Sequence, residues 1–207
     1  MTDVTLILGT RSLSSWSLRP WLLARHLGIT VREQLIRLDQ PDSAAQLAAA
    51  SPTARVPVLR HGALVVWESI AICEYLCELA GAGYPSTRAA RAVARSVSAE
   101  MHAGFATLRA LWPMDTNAVG LHTDMTSALA ADIARIQALW ISCRREFGAD
   151  GPWLFGSYCI ADAMFAPVVL RFRTYGAALQ PEAQRYQDTA LADPYLQAWV
   201  LAAASEG

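Results

Sequence analysis

Four serines and two arginines lie between Thr10 and Trp21, in the stretch TRSLSSWSLRPW. The stretch follows a short apolar run and precedes an apolar pattern of helical spacing. Hydroxyl groups at a helix N-terminus cap the helix or donate hydrogen bonds to an anion, including a thiolate. An isolated stretch of this kind is more often only a helix cap. The rest of the sequence must therefore show whether these hydroxyl groups also bind a ligand.

Other chemistries of serine, cysteine and histidine have little support. The sequence contains no GxSxG and no HExxH, and no His stands in a context typical of a catalytic triad. Residues 14–17 contain no cysteine, which disfavours dithiol exchange at this helix start. The four cysteines lie in apolar stretches without repeated spacing and are predicted to be buried thiols, and no metal site is predicted.

Two further stretches offer groups that bind a peptide-like ligand. Pro57 begins a predicted strand, where it cannot donate to a ladder; a cis bond there would leave the Val56 backbone facing outward, able to pair with an extended peptide. Glu68 and Ser69 open a predicted helix, where Glu68 can accept from an ammonium group and Ser69 can donate to a carboxylate. One end of such a ligand would be zwitterionic.

The elements that must position these groups alternate in period over about the first 80 residues. Short strand-like runs and helical runs follow the order β-α-β-α-β-β-α. A β-α-β opening requires a parallel strand pair with a right-handed crossover, and the last two strands add an antiparallel hairpin. The serine stretch then lies at the carboxyl end of the first strand, where α/β sheets bind ligands.

Beyond Gly83 the chain becomes rich in alanine and helical. We predict helices over 88–112, 125–147 and 160–172, with shorter ones near 181–189 and 192–203. The fold class is therefore α/β plus all-α. We assign a first domain to residues 1–80, a linker to 81–87 and a helical-bundle domain to 88–207.

Composition limits the class of partner. The chain has 207 residues, is 54% hydrophobic and has a formal net charge of −1, which fits a globular protein and gives no basic surface for nucleic acid or an anionic membrane. The first ten residues lack the features of a signal peptide, so we expect a cytoplasmic protein. The absence of lysine is compatible with a GC-rich bacterial source.

Taken together, SSWSLR, RVPVL, ESIAICEYL and IADAMFAPV resemble, in the same order, motifs of the cytosolic glutathione transferases. The serine stretch is similar to that of zeta-class and related bacterial members. The resemblance implies a thioredoxin-like domain followed by a helical domain, glutathione as cosubstrate without a metal, and a homodimer.

The resemblance also assigns roles to residues. Val56 would pair its backbone with the cysteinyl part of glutathione, and Pro57 would be the cis-proline. Glu68 and Ser69 would hold the γ-glutamyl end, and Arg55 would lie near the glycine carboxylate. The hydroxyl that contacts the sulfur would be one of four, with Ser14 favoured and Ser15 next, ahead of Ser12 and Ser17.

The electrophile should lie over the sulfur, between the serine loop and the helical half. Trp16 stands where the zeta relatives that isomerise maleylacetoacetate have Cys, which puts that isomerase role in doubt. Phe105, Arg109 and Trp112 share a helical face; Phe105 is more typical of core, and Arg109 is compatible with an anionic substrate. The stretch RFRTY adds Arg171, Arg173 and Tyr175.

The start of the helix at residue 160 departs from the family pattern. Relatives have Ser or Thr, two residues, then Asp, a capping box in which each side chain satisfies a backbone donor. This chain reads Cys159-Ile160-Ala161-Asp162. Since sulfur is a weak acceptor, one half of the box is predicted to be weak, and Asp162 to serve folding.

Three functions remain open at this point. The first is a transferase in which a serine hydroxyl stabilises the glutathione thiolate for attack on a small electrophile. The second is a glutathione-dependent isomerase that uses the same binding site. The third is a non-catalytic relative that serves protein association, and a chain that ignores glutathione would favour it.

Overall fold

The computed structural model of the protein describes residues 4–206. The first three residues of the predicted domain 1–80 and the last residue of the predicted domain 88–207 lie outside the described residues.

A four-stranded sheet forms the centre of the N-terminal half. Its strands are β1 (Val4–Gly9), β2 (Arg32–Ile36), β3 (Val58–His61) and β4 (Leu64–Trp67), in the spatial order β2-β1-β3-β4. β1 pairs in parallel with β2, while β3 pairs antiparallel with β1 and β4. The predicted crossover and hairpin are both confirmed.

Three helices complete this half, α1 (Ser15–His26), α2 (Ser43–Ala50) and α3 (Ser69–Ala80). α3 ends where the sequence predicts, because Gly81 adopts a left-handed conformation with φ of 62° and donates to the carbonyl of Glu78. The thioredoxin-like order β-α-β-α-β-β-α is therefore confirmed.

The C-terminal half is helical, also as predicted. It contains α4 (Arg88–Ala103), α5 (Ala106–Leu111), α6 (Ser127–Phe147), α7 (Ile160–Tyr175), α8 (Pro181–Leu191) and α9 (Pro194–Ala204). None of the helices in the described part of the chain combines the length and apolar character needed to cross a membrane.

The prediction of one continuous helix over 88–112 is wrong. α4 ends at Gly104, and Phe105 takes a left-handed conformation with φ of 60° before α5 begins. The Leu108 N–H, free at the start of α5, donates to the carboxylate of Asp132 on α6 at 2.9 Å. A hydrogen bond to α6 thus satisfies a backbone group that a continuous helix would have satisfied internally. The alanine-rich sequence gives little sign of this break.

The core of the molecule lies around α1 and α7. α7 is buried at every position except Arg173, so it is surrounded by protein on all sides. α1 packs against both α3 and α7, and one apolar cluster runs through both halves of the chain. Because the core is continuous across residues 81–87, the boundaries of the two domains stay a prediction.

Asp162 fixes the start of α7. Its Oδ1 accepts from the Leu154 N–H at 3.0 Å, and its Oδ2 accepts from the Cys159 N–H at 2.9 Å. The Cys159 side chain faces the backbone N–H of Asp162, so both halves of the capping box are present, one with sulfur as the acceptor. Burial raises the pKa of Asp162 to about 6.

We expect Cys159→Ser to stabilise the protein, because a hydroxyl oxygen accepts a hydrogen bond better than sulfur does. The gain should be about 1 kcal/mol or less, the size of an ordinary N-cap effect. Thermal unfolding of the two proteins measures it. An unchanged or lower melting temperature would show that sulfur serves the cap equally well.

The pKa of Asp162 also predicts a pH dependence. Between its ordinary value of 3.8 and about 6, the folded chain keeps the proton that the unfolded chain releases. Stability from this group is therefore greatest at low pH and falls as pH rises through that window, by about 3 kcal/mol. Denaturant unfolding of wild type and Asp162→Asn across this pH range isolates the contribution of Asp162 to the free energy of unfolding, since Asn does not titrate. If the free energies of the two proteins change in parallel with pH, the predicted contribution of Asp162 is wrong.

Candidate functional site

The loop between β1 and α1 is held by two of its serines. Ser14 is the N-cap of α1: its Oγ accepts from the Ser17 N–H at 3.4 Å and donates to Ser17 Oγ at 2.7 Å. Ser17 Oγ in turn accepts from the Gly9 N–H at 3.0 Å. These bonds tie the end of the strand to the first turn of the helix, and they occupy the Ser14 proton.

Ser15 is not part of the hydrogen-bonded pair formed by Ser14 and Ser17. Its Oγ accepts from Nη2 of Arg171, on α7, at 3.3 Å, and no described residue accepts its own proton. It is 5% exposed and lies in the first turn of α1, where unpaired N–H groups favour negative charge. Ser15 therefore retains a hydroxyl proton for an incoming acceptor.

Trp16 forms one wall of a cleft of about 110 Å³. The other lining residues come from the two predicted ligand-binding stretches and are Thr53, Arg55, Val56, Pro57, Glu68 and Ser69. The structure therefore brings all five residues predicted to bind glutathione to one cleft beside the start of α1.

Two sets of polar groups in this cleft have no partner. The Val56–Pro57 peptide bond is cis, as predicted, and no described residue bonds to the N–H or C=O of Val56. The Ser69 Oγ is buried and has no hydrogen-bond partner among the described residues. Buried polar atoms are usually satisfied, so these groups mark where a ligand would bind.

Glu68 enters the cleft from a strained backbone. It has φ of 68°, a conformation that residues with a Cβ rarely adopt, and it precedes the first turn of α3. Its side chain is half exposed, and its Oε2 lies 3.6 Å from Nε2 of His102 on α4. The carboxylate is therefore free to accept further donors.

Positive charge surrounds the Trp16 ring on its other sides. The guanidinium carbon of Arg19 lies 4.2 Å from the ring centroid and that of Arg109 lies 5.4 Å from it, while the His102 ring meets it edge-on at 5.3 Å. Arg19 is fully buried, and its three guanidinium nitrogens have no partner among the described residues.

The charge state of this cluster follows from burial. Burial, helped by nearby Arg171, lowers the pKa of Arg19 to about 9, and burial lowers that of Arg171 to about 10. Both guanidinium groups therefore stay protonated at neutral pH. Burial and then Arg19 also lower the pKa of His102, so this ring is mainly neutral.

Two residues predicted to contact the electrophile have other surroundings. Trp112 is buried; its Nε1 donates to Thr123 Oγ1 at 2.7 Å, and its ring stacks on that of Tyr175. Arg173 donates to the carbonyl of Thr116 at 2.9 Å. Among Trp16, Arg109, Trp112 and Arg173, the structure brings only Trp16 and Arg109 together.

Arg19 and His102 were not predicted to belong to the site. Arg19 lies four residues after Ser15 in the serine stretch, so helical spacing places it one turn further along α1, which could have been read from the sequence. His102 comes from the end of α4, and only the break at Gly104 and the packing of the halves bring it to Trp16.

None of the four cysteines lines the cleft, although Cys73 lies near enough to Arg19 to affect its pKa. All four cysteines are free and buried, as predicted, and burial raises the pKa of each thiol. Within residues 4–206, no group of three or more His, Cys, Asp or Glu side chains is arranged to hold a metal ion.

Part of the chain matches a known family model. Residues 13–79 match the family model described as glutathione S-transferase, N-terminal domain. The search of curated proteins gives no match to the chain.

Solved structures match over nearly the whole chain. A glutathione transferase homolog from Burkholderia gl BGR1 with bound glutathione is 24% identical, with 98% of this chain and 99% of that chain covered and a TM-score of 0.73. Maleylacetoacetate isomerase from Anaeromyxobacter dehalogenans 2CP-1, with glutathione in its active site, is 25% identical, with 96% of each chain covered and a TM-score of 0.66. A Tau class enzyme from mango is 18% identical, with 96% and 92% covered and a TM-score of 0.72.

The N-cap role of Ser14 predicts a stability effect. Ser14→Ala removes the acceptor for the Ser17 N–H and should lower the free energy of unfolding by about 0.5–2 kcal/mol. Ser12→Ala, in the same loop, is the matched control and should change it by less than about 0.5 kcal/mol. Urea unfolding measures both, and equal losses would contradict a cap specific to Ser14.

Proposed function

We propose that this protein is a glutathione transferase, because residues 13–79 match the model of the glutathione S-transferase N-terminal domain and the fold of the whole chain is similar to that of a glutathione transferase homolog. It binds glutathione in the cleft beside α1 and directs the thiolate at a small electrophile. The observation that carries the proposal is the cleft itself, which joins the free Val56 backbone, the unpartnered Ser69 hydroxyl and the Glu68 carboxylate.

Each part of glutathione has a matching group in the cleft. The Glu68 carboxylate accepts from the γ-glutamyl ammonium, and the Ser69 hydroxyl donates to the γ-glutamyl carboxylate. The Val56 backbone pairs with the cysteinyl residue as an added strand would. Arg55, exposed at the edge of the cleft, faces the glycine carboxylate. The sulfur then lies toward the start of α1.

We assign the hydroxyl that donates to the sulfur to Ser15, with Ser14 as the alternative. The Ser15 proton is free, whereas that of Ser14 is donated to Ser17. The Arg171 N–H on Ser15 Oγ polarises the hydroxyl and makes it a better donor. Lowering the thiol pKa by about two units requires about 2.7 kcal/mol of preference for the thiolate, which one charge-assisted hydrogen bond and a helix N-terminus can supply.

Glutathione-dependent isomerisation is a second candidate, because the maleylacetoacetate isomerase is similar over almost the full chain. Trp16 lines the cleft in the position of the expected Cys and is much larger. We therefore place conjugation first. We further propose a cytoplasmic homodimer with domains at 1–80 and 88–207 joined by 81–87, as the resemblance implies.

Calorimetric titration of glutathione tests the binding site. Glu68→Gln should weaken binding about tenfold or more, because it removes the charged acceptor for the ammonium group. Glu78→Gln, an exposed carboxylate on the same helix α3, is the control and should bind as wild type does. No binding at millimolar glutathione would overturn the transferase and isomerase proposals together and leave a role in protein association.

Thiol ionisation, followed by ultraviolet absorbance of bound glutathione, tests the activating hydroxyl. Ser15→Ala should return the thiol pKa toward that of free glutathione, while Ser14→Ala should retain most of the lowering. If the lowering of the thiol pKa is lost in Ser14→Ala and kept in Ser15→Ala, then Ser14 and not Ser15 donates to the sulfur.

A further inference from the structure

A cluster of arginines adjoins Trp16, and its two buried members, Arg19 and Arg171, have no acidic hydrogen-bond partner among the described residues. Arg19 and Arg171 are both almost fully buried, at 0% and 3% exposure. Among the described residues, none of the nitrogens of the Arg19 guanidinium has a hydrogen-bond partner, and Nη1 of Arg171 has none either. Arg109, on α5, is partly exposed: its guanidinium carbon lies 5.4 Å from the Trp16 ring centroid and its Nη1 donates to the Met101 carbonyl at 3.3 Å. Asp132 lies near enough to offset part of the lowering of the Arg109 pKa by burial.

Burial of charge without a counterion is unfavourable, because the group loses its hydration and gains nothing equivalent. The Trp16 ring interacts with one face of the Arg19 guanidinium but leaves its N–H donors unused. The bonds from Arg171 to the Trp112 carbonyl and to Ser15 involve neutral acceptors only. An anion is the missing partner for this arrangement.

Building on the proposed function, we propose that the electrophile carries a carboxylate, which binds beside Trp16. Arg109 is the group that contacts the carboxylate, since it is partly exposed. Arg19 and Arg171 supply positive charge behind it. Since Arg171 also contacts Ser15, the charged end of the substrate lies near the sulfur.

This arrangement selects substrates by charge. A carboxylate gains a hydrogen-bonded ion pair in a site with little water, whereas its uncharged ester gains none. The difference should be about tenfold to a hundredfold in kcat/KM, the usual value of a hydrogen bond to a charged group. The proposed function assigns the two glutathione carboxylates to Ser69 and Arg55, so in that binding mode they do not pair with the cluster.

The first experiment compares 4-chloro-3,5-dinitrobenzoate with its methyl ester at saturating glutathione. In both reactions the thiolate forms the carbon–sulfur bond, chloride leaves with the electron pair of the carbon–chlorine bond, and the thiol proton goes to solvent. Each enzymatic rate is divided by its uncatalysed rate, which removes the intrinsic difference in reactivity. We expect the carboxylate to be preferred in wild type and in Arg88→Gln, an exposed control, and the preference to be lost in Arg109→Gln.

The second experiment separates a ligand-binding role of Arg19 from a structural one. Arg19→Met removes an unpartnered buried charge and keeps similar length, so the variant should have a higher melting temperature than wild type. Unreactive 3,5-dinitrobenzoate, added with glutathione, should raise the melting temperature of wild type and of Arg88→Gln but not that of Arg19→Met. If Arg19→Met does not fold, calorimetric titration of 3,5-dinitrobenzoate into Arg109→Gln tests the carboxylate site through the partly exposed arginine, and binding equal to that of wild type would overturn the site.

The outcomes distinguish this inference from the proposed function. Equal use of acid and ester in wild type, or a preference kept in both arginine variants, would overturn the carboxylate site and leave a transferase. Absence of glutathione binding would overturn the transferase, and the 3,5-dinitrobenzoate titrations would then decide the carboxylate site alone. Loss of 3,5-dinitrobenzoate binding in Arg19→Met and Arg109→Gln would support the carboxylate site. Unchanged binding in both variants would overturn it.

Discussion

The burial of α1 from several sides at once is the constraint on which the rest of the structure depends. This helix packs on β1 and α3 within its own half and on α7 and α9 of the other half, so its position is fixed by contacts from both. Its first turn carries Ser14, Ser15 and Trp16. Any group bound there meets a rigid frame, which is what pre-organised donors need in order to stabilise a charge.

The same burial explains why the site is electrostatically unusual. A helix enclosed by apolar neighbours leaves no room for water around Arg19, and the facing helix α7 contributes a second guanidinium from Arg171. Most proteins avoid such pairs because they lower stability. Their presence next to a cleft with unpartnered Ser69 and Val56 groups concentrates unsatisfied donors in one region, a pattern typical of binding sites rather than of structural cores.

Much of this architecture could be predicted from the sequence, because hydrophobic periodicity and the residues that end helices and strands are local properties. The strand order follows from the switch between periods of two and 3.6, and Gly81 ends α3 as a left-handed glycine should. The residues of the cleft were predicted because Pro57 and Glu68-Ser69 stand at element starts. The break at Gly104 and Phe105 was missed because its cause, the bond from Leu108 to Asp132, joins residues far apart in sequence. The partners of Trp112 and Arg173 could not be predicted either, because helical spacing shows which residues share a face but not what that face packs against.

The burial of all four cysteines has a consequence for the lifetime of the protein. A protein that presents a reactive thiolate to electrophiles works in the presence of alkylating agents, and any accessible thiol of its own would be modified in time. Here each thiol is buried and has a raised pKa, so the nucleophilic thiolate form is scarce. Under the proposed function, this burial would slow inactivation of the protein by electrophilic substrates, and rapid covalent labelling of a cysteine would report unfolding.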